Sequence, residues 1–458
     1  MGRFVRMSLL GVLIAAGLCL WAWLGYVAID WAGSATFELG WGATLGQAAA
    51  AIVFLQLLFV MILATLLMVA ERKWSAAIQD RIGPNRARLP GLSRFSLGGI
   101  PHVLADALKM ISKEDFVPAK ANRLLFQLAP VANLLPILCL FAIVPMGPPV
   151  PVRHAFGVLF ASLQIANPDA GLLYLFAIAS LAVYGVALAG WASGNKLALL
   201  GGVRAASQMV AYEVALGLGL VGMMMTTGTL RLDAMIQSQS AGLFGTSWFP
   251  AWGLFVQPVG FLLFFAAAFA ETKRTPFDLP EGESEIIGYF LEYSGMKFGM
   301  FMMAEFVEII TLSGVVTAVF LGGWHLSPVL DDALASAAAS LVAWRFAGPP
   351  DPGAAALTLA VFQAALFAVK VIVLCWLQLA IRWTFPRFRY DQVQALGWRF
   401  LLPLGLVNVF ATGLCLLLDS SLGLLGALGL AEIALVVGAT LWSSSRPAAL
   451  PVAAAGGH

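Results

Sequence analysis

The chain has 458 residues, of which 60% are hydrophobic and only 11% charged, with a formal net charge of +2 and a mean hydropathy of +0.89. No water-soluble core needs so much apolar sequence, so the composition excludes the soluble classes and points to a polytopic membrane protein. Nucleic-acid binding is excluded as well, because membrane topology accounts for the basic residues.

Runs of about 20 apolar residues, enough to cross a hydrocarbon core of roughly 30 Å, recur along the chain. The expected fold is an all-α polytopic membrane protein of about ten transmembrane helices, at 7–29, 48–70, 122–144, 170–191, 204–226, 252–270, 298–321, 359–383, 399–418 and 422–443. The first run follows Arg3 and Arg6, but it is long for a signal peptide and lacks a cleavage site before Asp30, so it reads as a retained helix. Asp419, Ser420 and Ser421 leave room only for a tight hairpin between the last two. With these spans, all but four of the 26 Lys and Arg residues fall on one side. Arg153, Arg231 and Arg345 fall on the other, and Lys370 lies inside a helix. The positive-inside rule then places both termini and the loops 71–121 and 271–297 in the cytoplasm.

The first long loop opens with Glu71-Arg72-Lys73 and runs through Gln79-Asp80-Arg81-Ile82-Gly83-Pro84-Asn85-Arg86. Gly83-Pro84-Asn85 reads as a turn. Over 100–112, Ile100, Val103, Leu104, Ala107, Leu108 and Ile111 share one helical face while Asp106, Lys109 and Lys113 take another. That pattern predicts a cytoplasmic amphipathic helix at the membrane boundary. A solvated loop needs only bases for orientation, whereas interleaved acids and bases suit a docking surface or a polar cavity wall.

Glu213 is about ten positions into its apolar run, roughly 13 to 15 Å from the nearer end. A carboxylate there is costly unless it is protonated, paired or hydrated. Tyr212 beside it points about 100° away and is a weaker partner. Glu305 and Glu308, three apart, share a face of the run 298–321, and Lys370 offers a countercharge. Three such groups in one chain favour a proton or ion route over structural pairing.

Between Ala270 and Glu285 five acidic residues follow the end of an apolar helix. Pro276 and Pro280 break the helix and are expected to keep the segment extended. Glu281, Glu283 and Glu285 would then line one side. Carboxylates held close disfavour simultaneous ionisation, so some exchange protons near neutral pH. An acidic cytoplasmic loop is the plainer alternative.

Cys19, Cys139, Cys375 and Cys415 sit in different apolar helices without Cys-x-x-Cys spacing, which argues against a disulfide framework or an iron–sulfur cluster. His102, His154, His325 and His458 lie in loops or at the terminus, where no inward-facing pair can carry haem. The chain also lacks a Walker-type loop, His-Glu-x-x-His and Gly-x-Ser-x-Gly. No metal ligands are indicated, so any redox or transport role must use carboxylates, arginines and shape.

Together these segments resemble one family: the membrane subunit at the quinone site of respiratory complex I, which carries the letter H in bacteria and the number 1 in mitochondria. The similarity runs in order over roughly residues 50 to 410. It includes Glu71-Arg72-Lys73, Gly83-Pro84-Asn85-Arg86, Asp106-Ala107-Leu108-Lys109, Lys113-Glu114-Asp115, Gly190 through Lys196, Arg204 through Gln208, Tyr212-Glu213, Ala270 through Glu285, Glu292 through Phe298, and Pro386 through Gln392.

The resemblance implies a subunit of proton-pumping NADH:quinone oxidoreductase with no independent catalysis, in a bacterial inner membrane. Quinone is its substrate, while NADH, FMN and iron–sulfur clusters belong to partner subunits and this chain holds no flavin, haem or cluster. The implied partners are the peripheral-arm quinone-site and iron–sulfur subunits, the small membrane subunits, the antiporter-like subunits and membrane lipid. The implied coupling carboxylates are Glu213, Glu271, Glu281, Glu283, Glu285 and Glu305, and Arg72, Asp106, Arg274 and Asp278 would line the quinone passage. Residues that protonate the reduced quinone would lie in a partner.

The chain also departs from that pattern. Lys273 stands where the family usually has asparagine, His102 replaces a common glutamine, and the loops 87–105 and 325–358 are longer. The expected division is an extra helix and external loop at 1–47, an eight-helix core at 48–418 and an extra helix and tail at 419–458. Two other readings stay open: the equivalent subunit of a membrane hydrogenase, and a free-standing ion-coupled transporter. A transporter predicts an internal repeat, and none is visible.

Overall fold

The computed structural model describes residues 2–39, 42–87, 99–154, 157–282, 286, 288–346, 352–419 and 422–445. The helices are α1 (Gly2–Glu38), α2 (Ala43–Ile78), α3 (Pro101–Ser112), α4 (Arg123–Leu140), α5 (Gly171–Ala192), α6 (Lys196–Thr227), α7 (Leu232–Ser238), α8 (Gly253–Val256), α9 (Pro258–Glu271), α10 (Gly295–Phe320), α11 (Pro328–Phe346), α12 (Pro352–Thr384), α13 (Tyr390–Leu418) and α14 (Leu422–Ser445). Among the described residues nine are long and apolar enough to cross a membrane, and the tenth expected run, 252–270, holds the shorter apolar α9. The chain is an all-α polytopic membrane protein.

Several helices outrun their apolar windows because polar caps extend them. The Asn195 side chain accepts a hydrogen bond from the Leu197 amide and starts α6 at Lys196, and Gly228 in the left-handed region ends it. Glu213 therefore lies near the middle of a longer helix than its apolar run implies.

Two elements were not expected. The loop 325–358 contains α11, an Ala-rich helix begun by Pro328 with Asp331 in its first turn, features that favour a helix start. Between α4 and α5, β1 (Val150–His154) pairs antiparallel with β2 (Gly157–Ala161), Val150 opposite Ala161. His154 thus belongs to a strand and His102 to α3 rather than to loops.

Helix α10 is the axis of the bundle, with 94% of its apolar window buried. It packs against α2, α4, α9 and α12. Ionised groups on such a helix face protein rather than lipid, the one setting in which they are tolerated at membrane depth. Small residues bring the neighbouring helices close, as packing between membrane helices requires. A Cβ on Gly219 of α6 would lie 2.9 Å from the Phe264 amide of α9, so a larger residue there would push α9 away.

Lys370 does not act as a countercharge to the buried acids. Its Nζ donates to the carbonyls of Leu321, Gly323 and His325 at 2.7, 2.8 and 2.7 Å and lies 4.6 Å from the centroid of the Trp252 ring. Those carbonyls follow the last residue of α10. Carbonyls of a turn inside the bundle have no ladder donors and need a partner there, which the ammonium supplies.

The amphipathic helix appears as α3. Its Leu104, Leu108 and Ile111 are exposed, and Asp106 is tied to Arg72 at the end of α2 by a 2.6 Å ion pair.

Candidate functional site

The polar residues of the chain converge where α9 ends against α2, α10 and α12. Helix α9 delivers Glu271 and then stops. Gln208 of α6 clamps the exit by donating to the carbonyls of Ala270 and Phe277 at 2.7 and 2.9 Å. Lys273 takes a left-handed backbone conformation, φ +56°, which turns the chain back on itself. The following residues, described as far as Gly282, form successive turns, with the Phe277 amide donating to Arg274 and the Leu279 amide to Phe277. The extended segment expected from Pro276 and Pro280 is thus replaced by coiled backbone, because local amide–carbonyl pairs close turns that two prolines alone do not exclude. Glu283 and Glu285 lie outside the described residues.

Inside this coil the charges alternate. Arg274 is buried, its Nη1 2.6 Å from Glu71 Oε2 and its Nη2 3.0 Å from Glu305 Oε2, with the guanidinium 4.3 Å from the centroid of the Phe306 ring. Arg382 of α12 closes the other side of Glu71 at 2.6 Å. Lys273, fully buried, has its Nζ 3.6 Å from Glu308 Oε2. Glu281 lies close enough to Glu305 for the two carboxylates to repel each other. A guanidinium fork that holds two carboxylates from different helices sets their distance and orientation as well as balancing their charge.

The loop groups titrate far from their ordinary values. Burial raises the Glu281 carboxyl, and the neighbouring charges of Glu305 and Asp278 raise it further. Burial pushes Asp278 up to about 7, with Glu305 adding to the rise and Arg387 and Arg274 opposing it. For Lys273 burial acts downward, but Glu308, Glu305 and Glu271 outweigh it and its pKa rises. Arg274 is likewise held protonated by Glu71 and Glu305 against the cost of burial.

Glu213 accepts a hydrogen bond from the Ser180 hydroxyl of α5. It faces Glu271 and Glu308 across a cavity of about 20 Å³ walled by Leu140, Phe176 and Leu312. That volume suits a single water, which needs polar partners of this kind. On the loop side, an open cavity of about 720 Å³ is lined by Thr275, Asp278, Glu281, Arg382 and Arg387. Arg387 also donates to the Asp278 carbonyl.

The structure therefore brings Glu213, Glu271, Glu281, Glu305, Arg274 and Asp278 into one connected region. Arg72 and Asp106 of α3 pair with each other, half-exposed, and among the described residues no ion pair joins them to that region. Sequence reasoning passed over Glu71 and Arg382, since Glu71 read as one charge in a boundary loop and Arg382 as a topology signal. Only their separation of some three hundred positions closing to an ion pair identifies them. Among the described residues no three His, Cys, Asp or Glu side chains are grouped to hold a metal.

Asp278 provides a pH test. Its folded pKa is raised from 3.8 to about 7, so the folded state holds a proton that the unfolded state releases. Stability from this group is full below about 3.8 and declines as pH rises toward about 7. Asp278→Asn should remove that slope. Melting of the purified assembly, compared between wild type and variant from pH 4 to pH 8, should show the two diverging in the variant's favour as pH rises.

The family model described as NADH dehydrogenase matches residues 50–413. The chain is 42% identical over 350 residues to a protein of Flavobacterium psychrophilum named as the H-lettered subunit of NADH-quinone oxidoreductase, covering 76% of this chain and 91% of that one. It is 41% identical over 360 residues to a protein of Geobacter metallireducens that bears the same name with the number 1, covering 78% and 93%. A protein of Bdellovibrio bacteriovorus with that name is 38% identical over 365 residues, covering 76% and 91%.

Proposed function

The chain belongs to the NADH dehydrogenase family of NADH-quinone oxidoreductase membrane subunits, and from that premise we propose that it forms the membrane end of the quinone passage and begins the carboxylate chain coupling quinone reduction to proton translocation. It is a multi-pass subunit of an oxidoreductase complex and works with the other subunits of that complex. The observation that carries the finer reading is the line of buried charge running from the open cavity at Asp278 and Glu281, through Glu305, Arg274 and Glu71, to Glu271, Glu308 and Glu213.

Reduction changes the charge and the proton demand of a quinone. Carboxylates that repel one another and share a few cations respond to such a change by exchanging protons and partners. Arg274, shared between Glu71 and Glu305, can shift toward either. In this reading Glu213, Glu271, Glu281, Glu283, Glu285 and Glu305 carry the coupling, while Arg72, Asp106, Arg274 and Asp278 shape the passage. The peripheral arm, with its flavin and iron–sulfur clusters, docks over the loop-side cavity. The small membrane and antiporter-like subunits flank the bundle, and 1–47 and 419–458 are additions to an eight-helix core at 48–418. The membrane is the bacterial inner membrane with both termini cytoplasmic, supported by the distribution of Lys and Arg.

Gentle detergent purification of the tagged chain from its native membrane tests the assignment. Co-purification of flavin- and iron–sulfur-containing NADH-oxidising subunits is the expected result. A nickel–iron subunit would move the chain to the hydrogenase branch, and an isolated chain would favour the transporter.

A further inference from the structure

Helix α9 is only 14 residues long, about 21 Å at 1.5 Å per residue. Its first turn therefore begins inside the bundle, where no water is available for unpaired amides and each must find a protein partner. The chain breaks immediately before it, at Gln257 with φ −138° and ψ 59°. Part of the break is filled by α13: Gln257 donates to Thr412 at 2.8 Å, and Asn408 donates to Gln257 at 3.1 Å.

The rest is filled by α14, which lies beyond the family match ending at 413. Gly429 sits directly on the break, where a Cβ would lie 2.0 Å from the Phe255 carbonyl oxygen. One turn further along the same face, the Glu432 side chain lines a cavity with Pro258 and Val259, the first two residues of α9. Gly426 and Ile433 continue this face, against Leu243 and beside Pro258. Glu432 lies ten residues from the start of α14, about 15 Å along it. An acid at that depth is costly unless paired, and the N-terminus of a helix, with its partial positive charge, is a fitting partner.

We propose that Glu432 is the N-terminal cap of α9 and thereby a positioning residue for Glu271 at the opposite end of the same short helix. Gly219 presses α9 from the side, Gln208 clamps its exit, and Glu432 sets its axial position. The additional helix thus supports the charged network from the far end, without touching it. The link to Glu271 rests on the coupling role proposed above; the cap itself does not.

The test compares Glu432→Gln and Glu432→Leu in the purified complex. Gln keeps an oxygen that can accept from the Val259 amide; Leu does not. Two readouts are taken: amide hydrogen exchange of the segment 257–264, and protons pumped per electron delivered to quinone. NADH oxidation by hexacyanoferrate serves as the assembly control. Leu should speed exchange in this segment roughly fivefold, the scale of a lost cap, and lower the proton-to-electron ratio, while Gln stays close to wild type in both. Unchanged exchange in the Leu variant overturns the cap. Gln behaving like Leu also overturns it, because the ionisable group and not the acceptor would then matter. Faster exchange with unchanged pumping overturns the positioning role. Glu271→Gln is measured alongside: if it pumps normally, the coupling reading fails on its own account while the exchange result still decides the cap.

Discussion

Arg274→Met is expected to destabilise the assembled protein by about 3–5 kcal/mol, the scale on which a buried ion pair loses one partner. The guanidinium is 4% exposed and lies between Glu71 at 2.6 Å and Glu305 at 3.0 Å. Met fills much of the same volume and preserves the contact with Phe306, so the loss isolates charge from packing. Arg382 still compensates Glu71 at 2.6 Å. Glu305, 2% exposed and repelled by the nearby Glu281, is left without its ion-pair partner. Adding Glu305→Gln to Arg274→Met should therefore recover a substantial part of the lost stability, whereas Glu71→Gln should recover less. Complex yield and melting temperature measure the first effect. Equal rescue by the two second-site changes would show that Arg274 is not the particular counterion of Glu305. Arg274→Lys should fall between wild type and Met, because a single ammonium cannot span two carboxylates as a planar fork does.

Glu213→Gln should abolish most quinone-linked proton pumping while leaving NADH oxidation by a soluble artificial acceptor intact. Gln has nearly the same shape as Glu, and its carbonyl oxygen can still accept from Ser180, so the packing of α5 on α6 is retained. What it loses is the capacity to hold and release a proton beside the small cavity shared with Glu271 and Glu308. Loss of a positioned acid–base group slows proton transfer on the order of a hundredfold or more. Pumping at the wild-type ratio in this variant would remove Glu213 from the coupling chain. Ser180→Ala is a useful companion: it removes the hydroxyl but not the carboxylate, and its effect should be smaller.

The nine long apolar helices and the surface helix α3 were legible in the sequence for a simple reason. Membrane crossing is decided locally, residue by residue, by the cost of exposing backbone and charge to hydrocarbon. An apolar run of sufficient length therefore declares itself without reference to the rest of the chain. Glu213 was legible on the same ground, as an acid inside such a run. Chain order along the motifs also carried the family, which the match over residues 50–413 bears out.

Partnership was not legible, because an ion pair depends on where two side chains meet and not on where they stand in sequence. Lys370, read as a countercharge, spends its three hydrogen bonds on the carbonyls beyond α10. Arg382, read as a marker of topology, pairs with Glu71 more than three hundred positions away. The acidic segment, read as extended, coils inward because Lys273 reverses the backbone and Gln208 holds the exit of α9. The sequence by itself determined which segments enter the membrane and that acids lie among them. Only the tertiary structure decided which cation serves which acid, since in a low-dielectric interior that choice depends on distances of a few ångströms set by the packing of helices remote in the chain.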